Sequence, residues 1–303
     1  MMAEQAGQVE AESYWPGLKS VPELDDLQFR QWTGLLEERT GTVLPMERRS
    51  FLATSLAQRM REAGFDDYQA YYEFVRSGKR GFVEWMVLVD RLTVHETRFF
   101  RQPESLELIR SRFLPQTADQ ADHPHRIQVW SLGCATGEEA YTLAIVLDDH
   151  FRQLQVPCYF SITATDISLA SLATGRRAQY HPFRVKDVPA NLKERYLSCL
   201  ENGYYEVDAS LRSRVCFAQL NVMNIGQAPY GAMDIIFFQN VLIYFDLPRR
   251  EQILDQLVRR LAPGGLLLLG PGEMPGWRHP LLEREEYPGT LAYRRRIDGE
   301  RAA

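Results

Sequence analysis

Cysteine is scarce in this chain of 303 residues. There are four cysteines, and no two of them form a C-x-x-C pair, so the sequence indicates neither a zinc site nor a disulfide framework. The six histidines form no H-x-x-x-H or H-x-x-E-H pair. We therefore expect no bound metal, and the low cysteine content is typical of a reducing compartment.

Long apolar runs are also missing. No segment approaches the roughly 20 apolar residues that a helix needs to span a bilayer, and the N-terminal stretch is acidic and lacks an apolar centre. The sequence therefore predicts neither a membrane span nor a secretion signal. We expect a cytoplasmic protein without direct membrane insertion.

An excess of positive charge is absent as well. The 35 Lys and Arg residues are outnumbered by 40 Asp and Glu residues, for a formal net charge of −5. This balance provides no overall positive field to attract a polyanion, so we expect no nucleic-acid partner. The 45% hydrophobic and 25% charged residues are typical of a globular protein, and at roughly 150 residues per domain the length favours two domains.

Apolar spacing divides the chain into segments with different periods. Residues 1–22 are polar and show no period, so we expect a loose tail. Helical spacing of residues such as Leu52, Leu56 and Met60 then predicts an all-α N-terminal domain at 23–106. A polar, proline-containing stretch follows, and we expect a linker at 107–126.

Residues 127–303 alternate between strand and helix patterns. The run I-Q-V-W-S-L, a glycine-rich turn, an apolar helix and a second strand at 159–165 form the βαβ unit of a parallel sheet. Prolines and an E-N-G turn interrupt this alternation at about 179–214, which predicts a small inserted β-subdomain containing a hairpin. The predicted fold class is therefore α/β, a Rossmann-like sheet with an inserted β-subdomain, plus the all-α domain.

The strongest local signal is the turn S-L-G-C-A-T-G-E-E between the first strand and the helix. Glycines allow the backbone to approach a ligand closely, but no lysine follows Gly137 as a phosphate loop would require. Glu138 and Glu139 would repel a polyanion and favour a ligand that carries positive charge, such as the amino group and sulfonium of S-adenosylmethionine. Capping of the helix by these glutamates explains the pair equally well.

Polar residues also follow the later strands. Asp166 comes directly after the second strand, where a carboxylate can accept hydrogen bonds from ribose hydroxyls. An Asp at this point can instead cap the next helix, although the order of strand, turn, helix, strand and acid favours a nucleotide site. The carboxyl ends of parallel strands share one edge of the sheet, so we expect Asn221, Gln239, Asn240 and Tyr244 in the same crevice.

Taken in order, these motifs resemble the CheR family of chemotaxis-receptor methyltransferases. The similar segments are T-R-F-F-R, W-S-L-G-C-A-T-G-E-E-A-Y-T, A-T-D-I, L-N-V, Q-N-V-L-I-Y-F-D and L-A-P-G-G-L. The resemblance as a whole covers about residues 25–295, including the helical N-terminal domain and the inserted β-subdomain. The resemblance implies a methyltransferase sheet that uses S-adenosylmethionine and leaves S-adenosylhomocysteine. It also implies that the methyl acceptors are glutamate side chains on the cytoplasmic helices of a membrane chemoreceptor.

The resemblance assigns roles to individual residues. It implies cofactor contacts for His95, Thr97, Arg101, Glu139, Asp166, Asn221, Val222, Gln239 and Asn240. Glu139 would hold the methionine part and Asp166 the ribose, whereas Arg101 and Tyr244 would lie closest to the transferred methyl group as the candidate catalytic residues. His95 and Gln239 stand where the family often has asparagine and arginine.

Partner docking is the point at which this sequence departs most from some family members. The hairpin at 200–205 lacks the glycine-rich loop that captures a peptide tether at the receptor C-terminus, so we expect docking without a tether. Arg48 and Arg59 are eleven residues apart, about three helical turns, and could present one face to an acidic receptor helix. A merely solvated face fits the same spacing. Nothing indicates an obligate dimer, and we expect a monomer.

Other functions remain open at this stage. A Rossmann oxidoreductase with a nicotinamide cofactor is disfavoured by the glutamates that follow Gly137, where a pyrophosphate needs unopposed N–H groups. A signalling module that binds S-adenosylmethionine without turnover is left open by His95 and Gln239. A methyltransferase for RNA or a small molecule is disfavoured by the acidic balance and the helical N-terminal domain.

Overall fold

The N-terminal part of the chain is helical. The structure, a computed structural model, describes residues 23–93, 96–115 and 125–297, so the predicted tail at 1–22 lies outside the described residues. The first helices are α1 (Asp26–Thr40), α2 (Arg49–Ala63), α3 (Tyr68–Arg76) and α4 (Gly78–Leu92). A capping box between Asp25 and Gln28 begins α1, and Gly41, at φ 78°, ends it.

These helices share one core. Leu52, Leu56 and Met60, whose spacing predicts a helical face, are fully buried in one cluster with Trp32 and Tyr71. The four-residue spacing places the three side chains on the same side of α2, which is the side that packs against the other helices. Burial of this face stabilises the helical part far more than helix propensity alone.

Arg59 on α2 is held inside the helical part. Its Nε and Nη2 donate to the two carboxylate oxygens of Glu84 at 2.6 and 2.8 Å, and its Nη1 donates to Glu62 at 2.7 Å. Glu84 is 7% exposed and also accepts from the Tyr71 hydroxyl at 2.6 Å. The Arg59 guanidinium is therefore engaged by two carboxylates of the helical part, and its expected role in a docking face shared with Arg48 stays a prediction.

Part of the segment predicted as a linker is a buried helix. Helix α5 (Pro103–Leu108) continues into a π-helical turn at Ile109–Phe113. Leu108 and Ile109 are fully buried in the core that covers one face of the sheet. The linker prediction is therefore wrong for residues 107–115, because their apolar side chains pack against the sheet. Residues 116–124 lie outside the described residues.

The described residues of the C-terminal part form a seven-stranded sheet. Its strands are β1 (His125–Leu132), β2 (Cys158–Asp166), β6 (Val215–Gln219), β7 (Met233–Phe238), β8 (Leu261–Leu269), β9 (Leu282–Glu285) and β10 (Leu291–Arg295). Their order is β6-β2-β1-β7-β8-β10-β9. The first five strands of this order are parallel, and β10 is antiparallel to both of its neighbours.

Helices cover both faces of this sheet. Helices α6 (Glu138–Leu154) and α7 (Leu169–Arg177) share a core with Val129 of β1, and α10 (Leu247–Arg260) shares the opposite core with Trp130. Successive residues of a strand face opposite sides, which explains why the strands read as continuous apolar runs. Within the ranges described, no helix combines the length and the hydropathy that crossing a membrane would require.

The inserted subdomain forms a second, smaller sheet, as its prolines and turn predict. Strands β3 (Gln179–Tyr180), β4 (Leu197–Cys199) and β5 (Tyr205–Val207) pair in the antiparallel order β3-β5-β4. A 3-10 turn at Pro182–Val185 and the helices α8 (Ala190–Tyr196) and α9 (Ala209–Arg212) complete it. The subdomain lies in the chain between α7 and β6, and its buried residues, such as Val185 and Leu211, belong to the core that contains α6.

The order of the strands creates a crevice at their carboxyl ends. From β1 the chain continues to β2 and β6 on one side, and it later returns to β7 and β8 on the other side. Open parallel sheets bind ligands where the strand order reverses in this way. The loops that follow β1, β2, β6 and β7 therefore meet at one place.

Candidate functional site

A cavity of about 490 Å³ lies at this edge of the sheet. Its wall combines the strand-end loops, the segment at 96–102 and the segment at 40–48 that joins α1 to α2. All of the predicted site residues except His95 line this cavity: Thr97, Arg101, Glu139, Asp166, Asn221, Val222, Gln239, Asn240 and Tyr244. His95 lies outside the described residues.

The glycine-rich turn forms the floor of the cavity. Gly133 and Gly137 have φ values of 75° and 94°, a region that L side chains rarely adopt, and Ala135 between them has a φ of 46°. A Cβ atom on Gly133 would lie 2.5 Å from the Cγ2 atom of Val241 in the loop that follows β7. Glycine is therefore required here, because the two loops pack backbone against side chain.

Asp166 is fixed by the backbone on both sides of it. Its Oδ2 accepts from the N–H of Ala135 at 2.9 Å, and its Oδ1 accepts from the N–H of Ser168 at 2.9 Å. Both carboxylate oxygens thus accept backbone N–H groups, and the carboxylate lines the cavity at the end of β2. The N-cap of α7 is Ser168, whose Oγ accepts from the N–H of Ser171, and not Asp166.

The two glutamates that follow Gly137 have different environments. Glu139 lines the cavity, accepts from the Ser131 hydroxyl at 2.7 Å and has a pKa raised by burial to about 8. The Ser131 bond and the charge of Arg101 oppose this rise. Glu138 is 1% exposed and accepts from the Thr136 hydroxyl at 2.6 Å, and burial raises its pKa as well.

The loop after β7 contributes Gln239 and Asn240. Gln239 is 5% exposed, and its Nε2 donates to Ser105 Oγ at 3.0 Å and to the Leu269 carbonyl at 3.2 Å. Its Oε1 has no hydrogen-bond partner among the described residues. Asn240 has a φ of 63°, in the left-handed region that asparagine adopts more readily than most residues with a side chain.

Asn221 connects the large sheet to the helical part. Its Nδ2 donates to the Arg39 carbonyl at the end of α1 at 2.8 Å, and its Oδ1 accepts from the N–H of Met223 at 3.0 Å. Its amide is thus engaged at both ends, and the neighbouring Val222 lines the same wall. The two residues close the cavity on the side where β6 ends.

Two arginines and a tyrosine surround the mouth of the cavity. Burial raises the pKa of the Tyr244 hydroxyl, and the positive charges of Arg48 and Arg101 oppose this rise. Nη1 of Arg101 donates to the Glu96 carbonyl at 2.7 Å, which leaves other guanidinium donors for a ligand. The helical part completes this wall, since the N–H of Val43 donates to the Tyr244 carbonyl at 2.9 Å.

Sequence reasoning missed Glu273, which shapes the same loop. Glu273 is 4% exposed and its Oε2 accepts from the N–H of Gly270 at 2.7 Å. Burial raises its pKa, and the N–H groups of Gly270, Asn240 and Leu242 oppose the rise. A lone glutamate after an apolar strand gives no signal in the sequence, although the G-P-G-E turn marks the end of that strand.

Thr142 is a second residue that the sequence does not reveal. It lies in the cavity wall at 3% exposure, one turn after Glu138 on α6. Its Oγ1 donates to the Glu138 carbonyl at 2.7 Å and accepts from the N–H of Phe100 at 3.1 Å. It therefore ties the segment at 96–102 to the start of α6.

The polar groups of the cavity fit S-adenosylmethionine, the cofactor that the resemblance implies. A carboxylate whose pKa is raised by burial gains most from a nearby cation, and Glu139 would meet the ammonium group of the ligand. Asp166 lines the cavity at a strand end where a carboxylate can accept hydrogen bonds from ribose hydroxyls, and the apolar side chains of Ile167 and Leu220 line the same cavity. The same glutamate disfavours the pyrophosphate of a nicotinamide dinucleotide.

Comparisons with known proteins agree with this geometry. A family model described as the CheR methyltransferase SAM-binding domain matches residues 95–280, and one described as the CheR methyltransferase all-alpha domain matches residues 27–93. The chemotaxis protein methyltransferase of Klebsiella aerogenes is 32% identical over 254 residues, which cover 82% of this chain and 84% of that protein.

Two further relatives carry the same description. The chemotaxis protein methyltransferase of Escherichia coli is 31% identical over 257 residues, covering 82% of this chain and 85% of that protein. The one from Borreliella burgdorferi is 29% identical over 236 residues, covering 77% and 83%. The chain therefore belongs to the CheR methyltransferase family and is an S-adenosylmethionine-dependent methyltransferase.

Proposed function

We propose that this enzyme transfers a methyl group to glutamate carboxylates on the cytoplasmic helices of a chemoreceptor. One observation carries the proposal: Arg48, Arg101 and Tyr244 line the same cavity. Both arginine charges oppose the rise in the Tyr244 pKa, whereas Glu96 and Glu273 add to it. Two cations beside one phenol suit an incoming carboxylate better than a neutral or cationic acceptor. The relatives named as chemotaxis protein methyltransferases support the choice of a receptor.

The cofactor residues keep the roles that the resemblance implies. Glu139 holds the ammonium group of the methionine part, and Asp166 accepts the ribose hydroxyls. The remaining contacts come from Thr97, Arg101, Asn221, Val222, Gln239 and Asn240, which line the cavity. S-adenosylmethionine, when bound, supplies a methyl group on a positively charged sulfur that leaves readily.

The chemistry that remains for the protein is placement. A glutamate side chain is already ionised at neutral pH, so its attack on the methyl carbon needs alignment and loss of water rather than a general base. We assign Arg101 to pairing with the incoming carboxylate and Tyr244 to positioning it beside the methyl group. The half-buried Tyr244 keeps its proton, because burial raises its pKa.

Docking depends on Arg48 and not on Arg59. Arg48 is exposed beside the cavity, whereas the guanidinium of Arg59 is bonded to Glu84 and Glu62. The β4–β5 hairpin is short, and it is closed by the bond from the N–H of Leu200 to the Tyr204 carbonyl at 2.8 Å. We therefore propose docking at the cavity mouth, in the cytoplasm, without a C-terminal receptor tether.

The proposal is tested with the purified chain and cytoplasmic fragments of a chemoreceptor from the same genome, with and without their last residues. Transfer of labelled methyl groups is measured, together with their release by alkali, which identifies carboxyl methyl esters. Equal rates for both fragments support docking without a tether. Unlabelled receptor combined with normal binding of S-adenosylhomocysteine would instead support a module that binds the cofactor without turnover.

Matched variants separate the assigned roles in the same assay. Arg101→Ala should lower methyl transfer at least 100-fold, and Tyr244→Phe about tenfold, since each loses one positioning contact. Arg48→Ala should raise the KM for the receptor with little change in kcat. Arg30→Ala removes an exposed arginine from α1 and serves as the control with unchanged rates. Unaltered transfer by Arg101→Ala would refute its catalytic role.

A further inference from the structure

The inserted subdomain contacts two of the segments that shape the cofactor cavity. Nη1 of Arg184, in the 3-10 turn at Pro182–Val185, donates to the Thr97 carbonyl. The Tyr180 hydroxyl on β3 donates to the Thr136 carbonyl in the glycine-rich turn at 2.8 Å. The subdomain therefore reaches the cofactor side of the molecule with both a cation and a hydroxyl.

Arg184 also approaches the start of α6. Its Nη1 lies 3.7 Å from the Oε1 of Glu138, which is 1% exposed. One guanidinium group thus joins the subdomain, the segment at 96–102 and the first turn of α6. Because Glu138 is almost completely shielded from water, a nearby cation stabilises its charged form more than it would at the surface.

Two weaker contacts accompany this bridge. Arg98 forms a half-exposed ion pair with Asp187 at 3.5 Å, and the Phe99 ring packs edge to face on Tyr180 with centroids 5.0 Å apart. Three consecutive residues of the segment, Thr97 to Phe99, therefore each contact the subdomain.

The segment held in this way carries backbone strain. Phe100 has a φ of 54°, an unfavourable value for an aromatic residue, and its N–H donates to Thr142 Oγ1 at 3.1 Å. Strained backbone persists where the surrounding contacts over-determine it. Arg184 holds the segment at Thr97 and Thr142 holds it at Phe100, and both Thr97 and Arg101 line the cavity.

We propose that the inserted subdomain supports the wall of the cofactor site and that Arg184 is a positioning residue, which holds Thr97 and Arg101 in their cofactor-binding arrangement through the Thr97 carbonyl. The inference deepens the proposed function and rests on it only for the role of these two residues toward the cofactor. Loss of the bridge allows the segment to open, so that the cofactor must bind a conformation populated only part of the time.

The test compares Arg184→Gln, Arg184→Lys and Lys186→Gln in the full-length chain. Lys186 is the matched control, since it carries the same charge two residues away and stacks on the Phe183 ring of its own subdomain. Hydrogen exchange of residues 97–102 is measured without cofactor, and calorimetry measures the affinity for S-adenosylhomocysteine. Exchange in β8 reports whether each variant is folded.

Arg184→Gln should speed exchange at 97–102 at least fivefold and weaken S-adenosylhomocysteine about tenfold, while β8 stays protected. Arg184→Lys should recover part of both effects, because one ammonium donor can still reach the carbonyl. Wild-type exchange and affinity in Arg184→Gln, or equal effects of Lys186→Gln, would overturn the proposal. The exchange measurement needs neither cofactor nor receptor. It therefore tests the role of Arg184 even if the protein does not methylate a chemoreceptor.

Discussion

The hydroxyl of Ser131 donates a hydrogen bond of 2.7 Å to the carboxylate of Glu139 across the glycine-rich turn. The bond joins the end of β1 to the first turn of α6 and aims the carboxylate at the cavity. Burial nevertheless raises the pKa of Glu139 to about 8. A cation that binds beside this carboxyl group therefore favours its ionised form.

Binding of S-adenosylhomocysteine should release a proton from Glu139. The ligand ammonium favours the ionised carboxylate, so affinity should rise as the pH rises from 6 to about 8 and then level off. Calorimetry at pH 7 in two buffers of different ionisation enthalpy counts the released protons. Glu139→Gln should abolish the release and weaken binding at pH 8 at least tenfold. Proton release that persists in this variant would assign the effect to another group.

The Glu139 carboxyl group should also make the free energy of unfolding depend on pH. The pKa of Glu139 in the folded protein, about 8, lies above the ordinary 4.5, so its contribution to the free energy of unfolding is fully present below about pH 4.5. That contribution is lost as the pH rises toward 8, because the unfolded chain ionises freely. Glu139→Gln cannot ionise, so its Tm should exceed that of the wild type by a margin that grows between pH 5 and pH 8.5. A constant margin would contradict the raised pKa.

Gly133→Ala should weaken cofactor binding by more than its loss of folding stability explains. The new Cβ would lie 2.5 Å from Val241 Cγ2 at a φ of 75°, and relief of this clash moves the loop that carries Asn240. Gly64→Ala is the matched control, since Gly64 has a φ of 82° and no described atom lies within 4 Å of its added Cβ. The control should cost about 1 kcal/mol of stability and leave binding unchanged. Equal affinities for the two variants would show that the contact with Val241 is unimportant.

Replacement by alanine should destabilise the protein at Arg59 but not at Arg48. Arg59→Ala leaves the buried carboxylate of Glu84 with only the Tyr71 hydroxyl as its described hydrogen-bond partner, and the free energy of unfolding should fall by about 3 kcal/mol. Arg48→Ala should change stability by less than about 0.5 kcal/mol, because its side chain is exposed. Denaturant titration measures both. If Arg59→Ala were stable but methylated the receptor poorly, Arg59 would belong to the docking surface.

Motifs confined to a strand and its following turn were predictable from the sequence. Gly133, Glu139 and Asp166 lie within one βαβ unit, and the chirality of that unit leaves little freedom in where their side chains converge. The inserted hairpin was predictable for a similar reason, because its E-N-G turn and prolines act locally. His95 lies outside the described residues, so its contribution stays a prediction.

Residues that act through partners distant in the chain were not predictable. Arg59 was expected at a surface, yet Glu84 holds it from 25 positions away. The buried turn at Ile109–Phe113 was expected to be a linker, since the polar residues after it dominate the composition of that region. Glu273 and Arg184 gave no signal at all, because a single charged residue has no pattern.

By itself, therefore, the sequence determined the α/β class, the glycine-rich turn and the acids that follow β1 and β2, because these depend on local backbone geometry and on apolar periodicity. Only the tertiary structure decided which charges are free to meet a ligand. Whether Arg48 is exposed and Arg59 neutralised, and whether Arg184 reaches Thr97, depends on packing between segments far apart in the chain. Coulombic and hydrogen-bond energies follow distance and burial, and neither of these is encoded in the spacing of residues along the chain.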